Sequence, residues 1–506
     1  MPKFWHISLQ ALFYKVPVHY FPKFSEKLAF WRHCERSRSS IMMRDLREGV
    51  HASPNELAKR SPKSQLLRKL NAKAMDKHEQ KFRNNSPIFA ILVRTHRFFY
   101  DDQALNRLHL LFSVENFWSK LAKPIIGLAP MDGVTDAPFR YITAKYGHPD
   151  VMITEFTSVE GIAAGGIPPL RAFIYDKIER PIVAQLFGID EKAYYKAAVM
   201  LCELGFDGID INMGCPAKNI ASKGSGASLI LNPKLAQKII KQTKKGAADW
   251  ANGLNLEDVG LPENTVKHIR EMQKQNLCGK SGTVGHKAAA SAHAKKSPTT
   301  IRKLLPISVK TRIGYDKIVI EDWIKYLLEE KPANISLHGR TLKQMYTGLA
   351  NWDAIAIAAK IVHEHNQAHA KSREFVKTTI LGNGDVKSVE EAHQKAKQYG
   401  VDGVLIGRAA FGNPWIFRAP AKPKNSPSIE SPAPYTPTIK EKLKVAIEHA
   451  HIHEKIFGEK LFPVMRKHLS WYCRGFTGAS EVRQRLMQAN NSQEVEEILT
   501  GIPEKS

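Results

Sequence analysis

From Pro124 onward the chain alternates short apolar runs with longer segments of helical periodicity. The runs are Pro124–Pro130, Val151–Phe156, Ile182–Gly188, Gly208–Cys215, Ile307–Gly314, Asn334–Thr341, Thr378–Asp385 and Gly403–Ala410. They are continuous and rich in β-branched residues, as strands buried on both faces of a parallel sheet must be. The segments between them carry helix punctuation. Asp190 can cap a helix that stops before Gly205, Asn232 with Pro233 reads as an N-cap and first turn, Ser388 with Glu391 reads as a capping box, and Gly400 closes that helix. Eight strand–helix units predict an α/β fold, a closed (β/α)8 TIM barrel over residues 117–418.

The rhythm breaks once. Run starts lie mostly 25 to 31 residues apart, but 99 separate Gly208 from Ile307. That is roughly 60 to 70 residues more than a strand–helix–strand unit needs. The excess falls at about 241–303, with 12 Lys or Arg against 5 Asp or Glu. Much of Gly279 to Thr300 is Gly, Ala, Ser, Lys and His, so the stretch reads as a flexible basic insertion. Residues 1–116 sustain no strand–helix alternation and read as a basic, largely disordered extension, with a self-sufficient domain starting near Phe117. Residues 419–438 hold Pro420, Pro423, Pro427, Pro432, Pro434 and Pro437 and read as a linker. Beyond it, 439–506 predicts a small helical domain, with helices over Lys440–Phe457, Pro463–Arg474 and Ser480–Gln488.

Composition narrows the function classes. No apolar stretch reaches the 18 residues of a membrane span, and Ile7 to Val16, broken by Gln10 and Lys15, is a poor signal peptide. The five cysteines (Cys34, Cys202, Cys215, Cys278 and Cys473) are few, uneven in spacing and odd in number. This argues against a disulfide framework and for a reducing, cytoplasmic location. Lys plus Arg exceed Asp plus Glu by 26, which favours a polyanionic partner. No stable protein partner is indicated, and a monomer is expected.

In such a barrel the chemistry sits where strands end. Those ends carry Pro130 and Met131, Glu155, Gln185, Asn212 with Cys215, Lys310 with Arg312, His338 with Arg340, Asn383-Gly384-Asp385, and Gly407-Arg408. Burying such groups without partners costs a few kcal/mol each, so seven strands that bring them to one mouth point to an enzyme. The glycine-rich ends of the last two runs suit a cofactor phosphate, with Arg408 adding charge, although tight turns use the same residues. Lys310 and His338 could then face an electron-rich ring, as in flavin mononucleotide (FMN). Cys215 could be a nucleophile, a general acid or an inert thiol. It lacks His and Asp partners at a triad-like spacing, and a thiol near its ordinary pKa is mostly protonated and can donate. Cys202 lies in a helical segment and reads as core. Gly224-Ser-Gly226 lacks the strand and third glycine of a dinucleotide fingerprint. His449, His451 and His453 have no evident further ligand, so no metal site is expected.

The motifs GLAPMDGVTD (Gly127–Asp136), INMGCPA (Ile211–Ala217), GSGASL (Gly224–Leu229), VKTR (Val309–Arg312), LHGRT (Leu337–Thr341), GNGD (Gly382–Asp385) and GRAA (Gly407–Ala410) resemble the FMN-dependent, bacterial-type tRNA-dihydrouridine synthase family. The likeness runs into the helical domain through RKHLSWY (Arg466–Tyr472) and leaves out 1–116 and 241–303. It implies reduction of the uracil C5–C6 bond in tRNA. Pro130, Met131, Gln185, Lys310 and His338 would contact the flavin, and Asn383, Gly384, Asp385, Gly407 and Arg408 its phosphate end. Cys215 would protonate C5, with NADPH or NADH as the transient reductant. Asn212 and Arg340 would hold the substrate, and Arg466, Lys467 and His468 would grip tRNA. Ser228 departs from the family, standing where a second alanine is usual. A different FMN barrel acting on a small molecule and a non-catalytic RNA-binding barrel are the competing readings.

Overall fold

The computed structural model describes residues 116–279, 302–372, 375–418 and 435–502. The expected N-terminal extension, the rest of the insertion and most of the proline-rich linker lie outside them. Eight parallel strands close a barrel in sequential order: β1 (Ile125–Leu128), β2 (Met152–Ser158), β3 (Ile182–Phe187), β4 (Gly208–Met213), β5 (Ile307–Arg312), β6 (Asn334–His338), β7 (Thr379–Asn383) and β8 (Gly403–Ile406). Each coincides with one of the apolar runs. β1 closes on β8 in register from Ile125 opposite Gly403 to Leu128 opposite Ile406. β1, β4, β7 and β8 are buried throughout, which is why they read as continuous rather than alternating.

The helices in chain order are α1 (Ala137–Gly147), α2 (Val159–Ala163), α3 (Glu191–Glu203), α4 (Lys218–Ala221), α5 (Pro233–Ala251), α6 (Glu263–Lys274), α7 (Ile320–Glu329), α8 (Trp352–His369), α9 (Val389–Tyr399), α10 (Ile439–Phe457), α11 (Arg466–Tyr472), α12 (Ala479–Leu486) and α13 (Ser492–Thr500). Their starts follow the polar side chains that precede them. Asp190 accepts from the N–H of Lys192 and Ala193, and Asn232 accepts from Leu235 N–H. Ser388 caps α9, but Glu391 reaches Lys387 N–H instead of completing the box. Thr438 and Glu441 do form the reciprocal pair at the start of α10.

The insertion differs from expectation. Its first part, up to Gly279, is folded: α5 runs on to Ala251, a 3-10 turn follows at Leu256–Val259, and α6 comes next. The charged composition hid a sparse apolar face. Ile239, Ile240 and Ala247 of α5, then Leu256, Ile269 and Met272, are buried in the main core, and α5 lies along α3.

At the strand-start end, Trp118 is fully buried among Ile125, Val151, Val183 and Ala333 and plugs the barrel. Helices α10–α13 build a second core around Ala446, Phe462, Met465, Leu469 and Leu486. Ile142 of α1 and Trp415 of the barrel join that core, so the helical domain is docked on the first helix of the barrel. Pro463 lies in a 3-10 turn (Glu459–Met465) rather than opening an α-helix, and α13 adds a helix the periodicity did not single out. Among the described residues no helix is long and apolar enough to cross a membrane. Cys202, Cys215, Cys278 and Cys473 are free thiols.

Candidate active site

The turn after β4 is held from three sides. Asn212 Oδ1 accepts the N–H of Gly214 (3.0 Å) and of Cys215 (2.8 Å). Arg312 Nε, from the end of β5, donates to Gly214 O (2.7 Å). Behind the turn, Ala227 N–H donates to Cys215 O (3.1 Å), and the chain passes so close that a Cβ on Gly226 would stand 2.8 Å from that oxygen. Gly226 also has φ 59°, a conformation that favours glycine. The Cys215 thiol on this fixed turn is partly exposed. Burial is the main influence on it and pushes its pKa up from the usual value, so the thiol is protonated at neutral pH.

Asn212 in turn rests on a fully partnered polar chain. Its Nδ2 donates to Gln185 Oε1 (2.9 Å), Gln185 Nε2 donates to Asp210 Oδ2 (2.7 Å), and Ser308 Oγ donates to Asp210 Oδ1 (2.7 Å). Gln185, Asp210 and Ser308 are fully buried. Satisfied networks of this kind rigidify what they support. Asn212 and Gln185, expected at the substrate and the flavin, are both members of the network that positions the cysteine turn.

From β5 onward the mouth is cationic, starting beside the cysteine turn, where Lys310 pairs in register with Asn212. Lys310 Nζ donates to Asn383 Oδ1 (3.1 Å), and Asn383 Nδ2 donates to Leu405 O (2.8 Å). Burial, then the neighbouring Arg312, lowers the Lys310 pKa to about 8. Burial, then Lys310, Arg312, Arg340 and Arg408, holds His338 well below its ordinary value, so its ring is neutral. Arg340 Nη1 stands 3.2 Å from His338 Nε2. Because an arginine only donates, this assigns the ring proton to Nδ1. Met131, from the end of β1, approaches the end of β8, its Sδ 3.4 Å from where a Cβ on Gly407 would lie. Pro130 and Met131 are partly exposed there.

Two expected contacts are redirected. Arg340 is buried and donates to Asp385 Oδ2 (2.6 Å), Gly348 O (2.7 Å) and Thr347 O (3.3 Å), so it clamps a loop instead of reaching a substrate. The Asp385 carboxylate takes Arg340, Ala350 N–H (2.8 Å) and Arg408 Nη2 (2.8 Å), so it aims Arg408 rather than meeting a phosphate itself. Arg408, 57% exposed, is the cation left facing outward. Gly384, at φ 128°, lets this chain pass Ala350 and His338.

In the helical domain His468 is fully buried, packed on the rings of Phe139, His449 and Trp471, with Nε2 3.8 Å from Asp136 Oδ2. It cannot grip a polyanion. The apolar face of α11 needed a residue there, and the charged neighbours in the motif concealed that. Arg466 is partly exposed and donates to Ala489 O (2.9 Å) and Asn490 Oδ1 (2.9 Å). Lys467 is partly exposed and reaches the β1 loop, with Nζ 3.5 Å from where a Cβ on Gly133 would lie.

Two residues matter more than the sequence suggested. Arg312 joins the cysteine turn to the loop after β6, and only its position at a strand end hinted at this. Glu155 lies within a register break in β2 between Ile153 and Phe156. Burial, then Asp136, raises its pKa to about 7. A β-bulge of this kind re-aims side chains next to active sites, and nothing in the local sequence signals it.

A family model described as dihydrouridine synthase matches residues 127–249 and 291–505. The gap between the two segments covers α6 and its flanks, so that part of the folded insertion stands outside the family pattern. A probable tRNA-dihydrouridine synthase of Staphylococcus aureus (strain MRSA252) is 32% identical over 391 residues, 76% of this chain and 95% of its own length. Probable tRNA-dihydrouridine synthase 2 of Bacillus subtilis (strain 168) is 30% identical over 396 residues, 77% of this chain and 98% of its own. Strand order, the fixed cysteine turn and these matches over the barrel and helical domain agree: the chain belongs to the dihydrouridine synthase family.

Proposed function

We propose that this chain reduces the C5–C6 bond of uridine in tRNA to give 5,6-dihydrouridine, with FMN as bound cofactor and NADPH or NADH as the reductant. The observation that carries the reading is a protonated, partly exposed thiol, Cys215, on a turn fixed by Asn212, Arg312 and Gly226, with cationic and neutral donors beginning on the adjacent strand β5. The relatives' names supply the substrate class.

The mouth fits FMN by its donor chemistry. Lys310, His338 and Arg408 offer hydrogen-bond donors and positive charge to a group with acceptor atoms and a phosphate. Arg408 faces outward at the β7–β8 end, where barrels commonly hold a phosphate. Pro130 and Met131 offer an apolar surface for a ring. When bound, FMN supplies the hydride that uracil C6 accepts. Cys215 gives its Sγ proton to C5 and regains one from solvent. Its raised pKa favours the thiol form needed for this step. Asn212 keeps the thiol aimed by holding the N–H groups of Gly214 and Cys215, while Ala227 N–H holds the Cys215 carbonyl. The target base must leave its stack to reach this mouth, and the 26 excess positive charges supply attraction for the RNA backbone.

Purified protein should show a flavin absorbance and form dihydrouridine in unmodified tRNA with NADPH. A colourless protein, or a flavoprotein that oxidises NADPH and leaves tRNA unchanged, contradicts the proposal.

A further inference from the structure

The loop after β6, Thr341 to Ala350, exposes three large apolar side chains within five residues: Met345 at 46%, Tyr346 at 61% and Leu349 at 84%. Single exposed apolar residues are ordinary. Three together on a loop at the strand-end face of the barrel are not.

The loop is strapped down. Its ends meet where Asn351 N–H donates to Gly339 O (2.6 Å), and Ala350 N–H donates to Asp385. Leu342 and Lys343 N–H donate to Gly314 O (3.0 Å) and Tyr315 O (2.9 Å) in the loop after β5. Two buried arginines hold its carbonyls: Arg340 takes Thr347 and Gly348, and Arg312 takes Thr341 (3.0 Å) and Met345 (3.1 Å). Met345 has φ 48°, left-handed backbone that a methionine adopts only when its surroundings impose it. Arg312 is also the residue that holds Gly214 beside Cys215. One guanidinium thus ties the apolar tip to the cysteine turn.

We infer that Tyr346 and Leu349, on the Arg312- and Arg340-strapped loop, are a wedge that stacks against the tRNA bases next to the target uridine and holds that uridine out of its stack. The inference rests on the function proposed above and adds the residues that extract the base. Nucleobases are the occupant that the charge favours. Lys343, on the loop itself, is exposed and pairs with Asp316 of the loop after β5 (3.8 Å), exposed Lys317 stands next to that carboxylate, and Arg408 is joined to the loop through Asp385 and Ala350. They would meet phosphates while the tip meets base faces.

The test compares wild type, Tyr346→Ala/Leu349→Ala and Tyr346→Phe. It measures dihydrouridine formation under saturating tRNA, flavin reduction by NADPH, and the fluorescence of tRNA carrying 2-aminopurine beside the target. The double variant should reduce its flavin at the wild-type rate, lose about 10-fold or more in kcat for dihydrouridine, and fail to raise the 2-aminopurine signal. Tyr346→Phe, which keeps the ring face, should behave as wild type. An unchanged kcat in the double variant overturns the inference, as does a loss shared equally by flavin reduction. A wild-type dimer that the double variant turns into monomer also overturns it, since the tip would then be a protein contact. Wild-type protein that makes no dihydrouridine sinks the functional reading itself; wild-type turnover with an unaffected variant sinks only the wedge.

Discussion

The barrel mouth and the helical domain both bury polar side chains, and they treat them oppositely. At the barrel mouth Asn212, Gln185, Asp210 and Ser308 are linked hydrogen bond by hydrogen bond. In the helical domain five buried ring nitrogens, Nε2 of His449 and both nitrogens of His453 and His468, have no hydrogen-bond partner. The first arrangement fixes a reactive group in place. The second packs neutral rings as though they were hydrophobic, and it tolerates this only while they stay uncharged. Partnered polar burial gives the barrel mouth precision; unpartnered burial gives the helical domain sensitivity to acid.

The largest effect expected from this contrast is on turnover. Cys215→Ala should keep flavin and the fold and lose about 10²- to 10⁴-fold in dihydrouridine formation, the usual worth of a general acid. Loss of flavin instead would show that the partnered network serves the cofactor and not the thiol.

Next comes stability. Gln185→Leu leaves Asp210 and Asn212 buried with a missing partner each, and should cost about 3 kcal/mol or more in urea unfolding. A cost near zero would erase the distinction between the two regions.

The histidines should show the reverse. Burial, with His449, Lys467 and His453 adding repulsion, holds His468 well below its ordinary pKa. Below the unfolded value of about 6.5 the unfolded chain therefore binds more protons than the folded one, and stability falls as the pH drops further. His468→Leu should leave stability near wild type at pH 7. On the acid side it should shrink the slope by up to about 1.4 kcal/mol per pH unit. Unfolding curves measured from pH 7 down to pH 5 check this, and parallel decline in the two proteins would count against it.

The smallest effect concerns the family departure. Ser228 Oγ donates to Ala221 O (2.9 Å) behind the cysteine turn. Ser228→Ala should cost about 1 kcal/mol, the net worth of one hydrogen bond, with turnover little changed. Thermal unfolding beside a kcat measurement would sharpen how much of the support for Cys215 lies outside the Asn212 network.

The barrel was legible because its strands are buried on both faces, so each showed as an unbroken apolar run bounded by turn residues. The mouth was legible as a set, since seven of the eight strand ends carry a polar residue. Roles within the set were not. Asn212, Arg340 and Asp385 look like ligands by type, yet their hydrogen bonds go to the cysteine turn, to the Thr341–Ala350 loop and to Arg408. The folded part of the insertion was missed because α6 spends most of its surface on charge and keeps only Thr265, Ile269 and Met272 buried.

The sequence by itself determined the strand order, the place of Cys215 at the end of β4 and the family, because hydrophobic period and local motifs are properties of neighbouring residues. Only the tertiary structure decided that His468 is core, that Arg312 joins two loops, and that the Cys215 thiol is pushed toward its protonated form. Each of these depends on groups far apart in the chain: Asp136 and His449 around His468, Gly214 and Met345 around Arg312, and the walls that bury the thiol. Burial and hydrogen-bond geometry come from those meetings, and no local pattern encodes them.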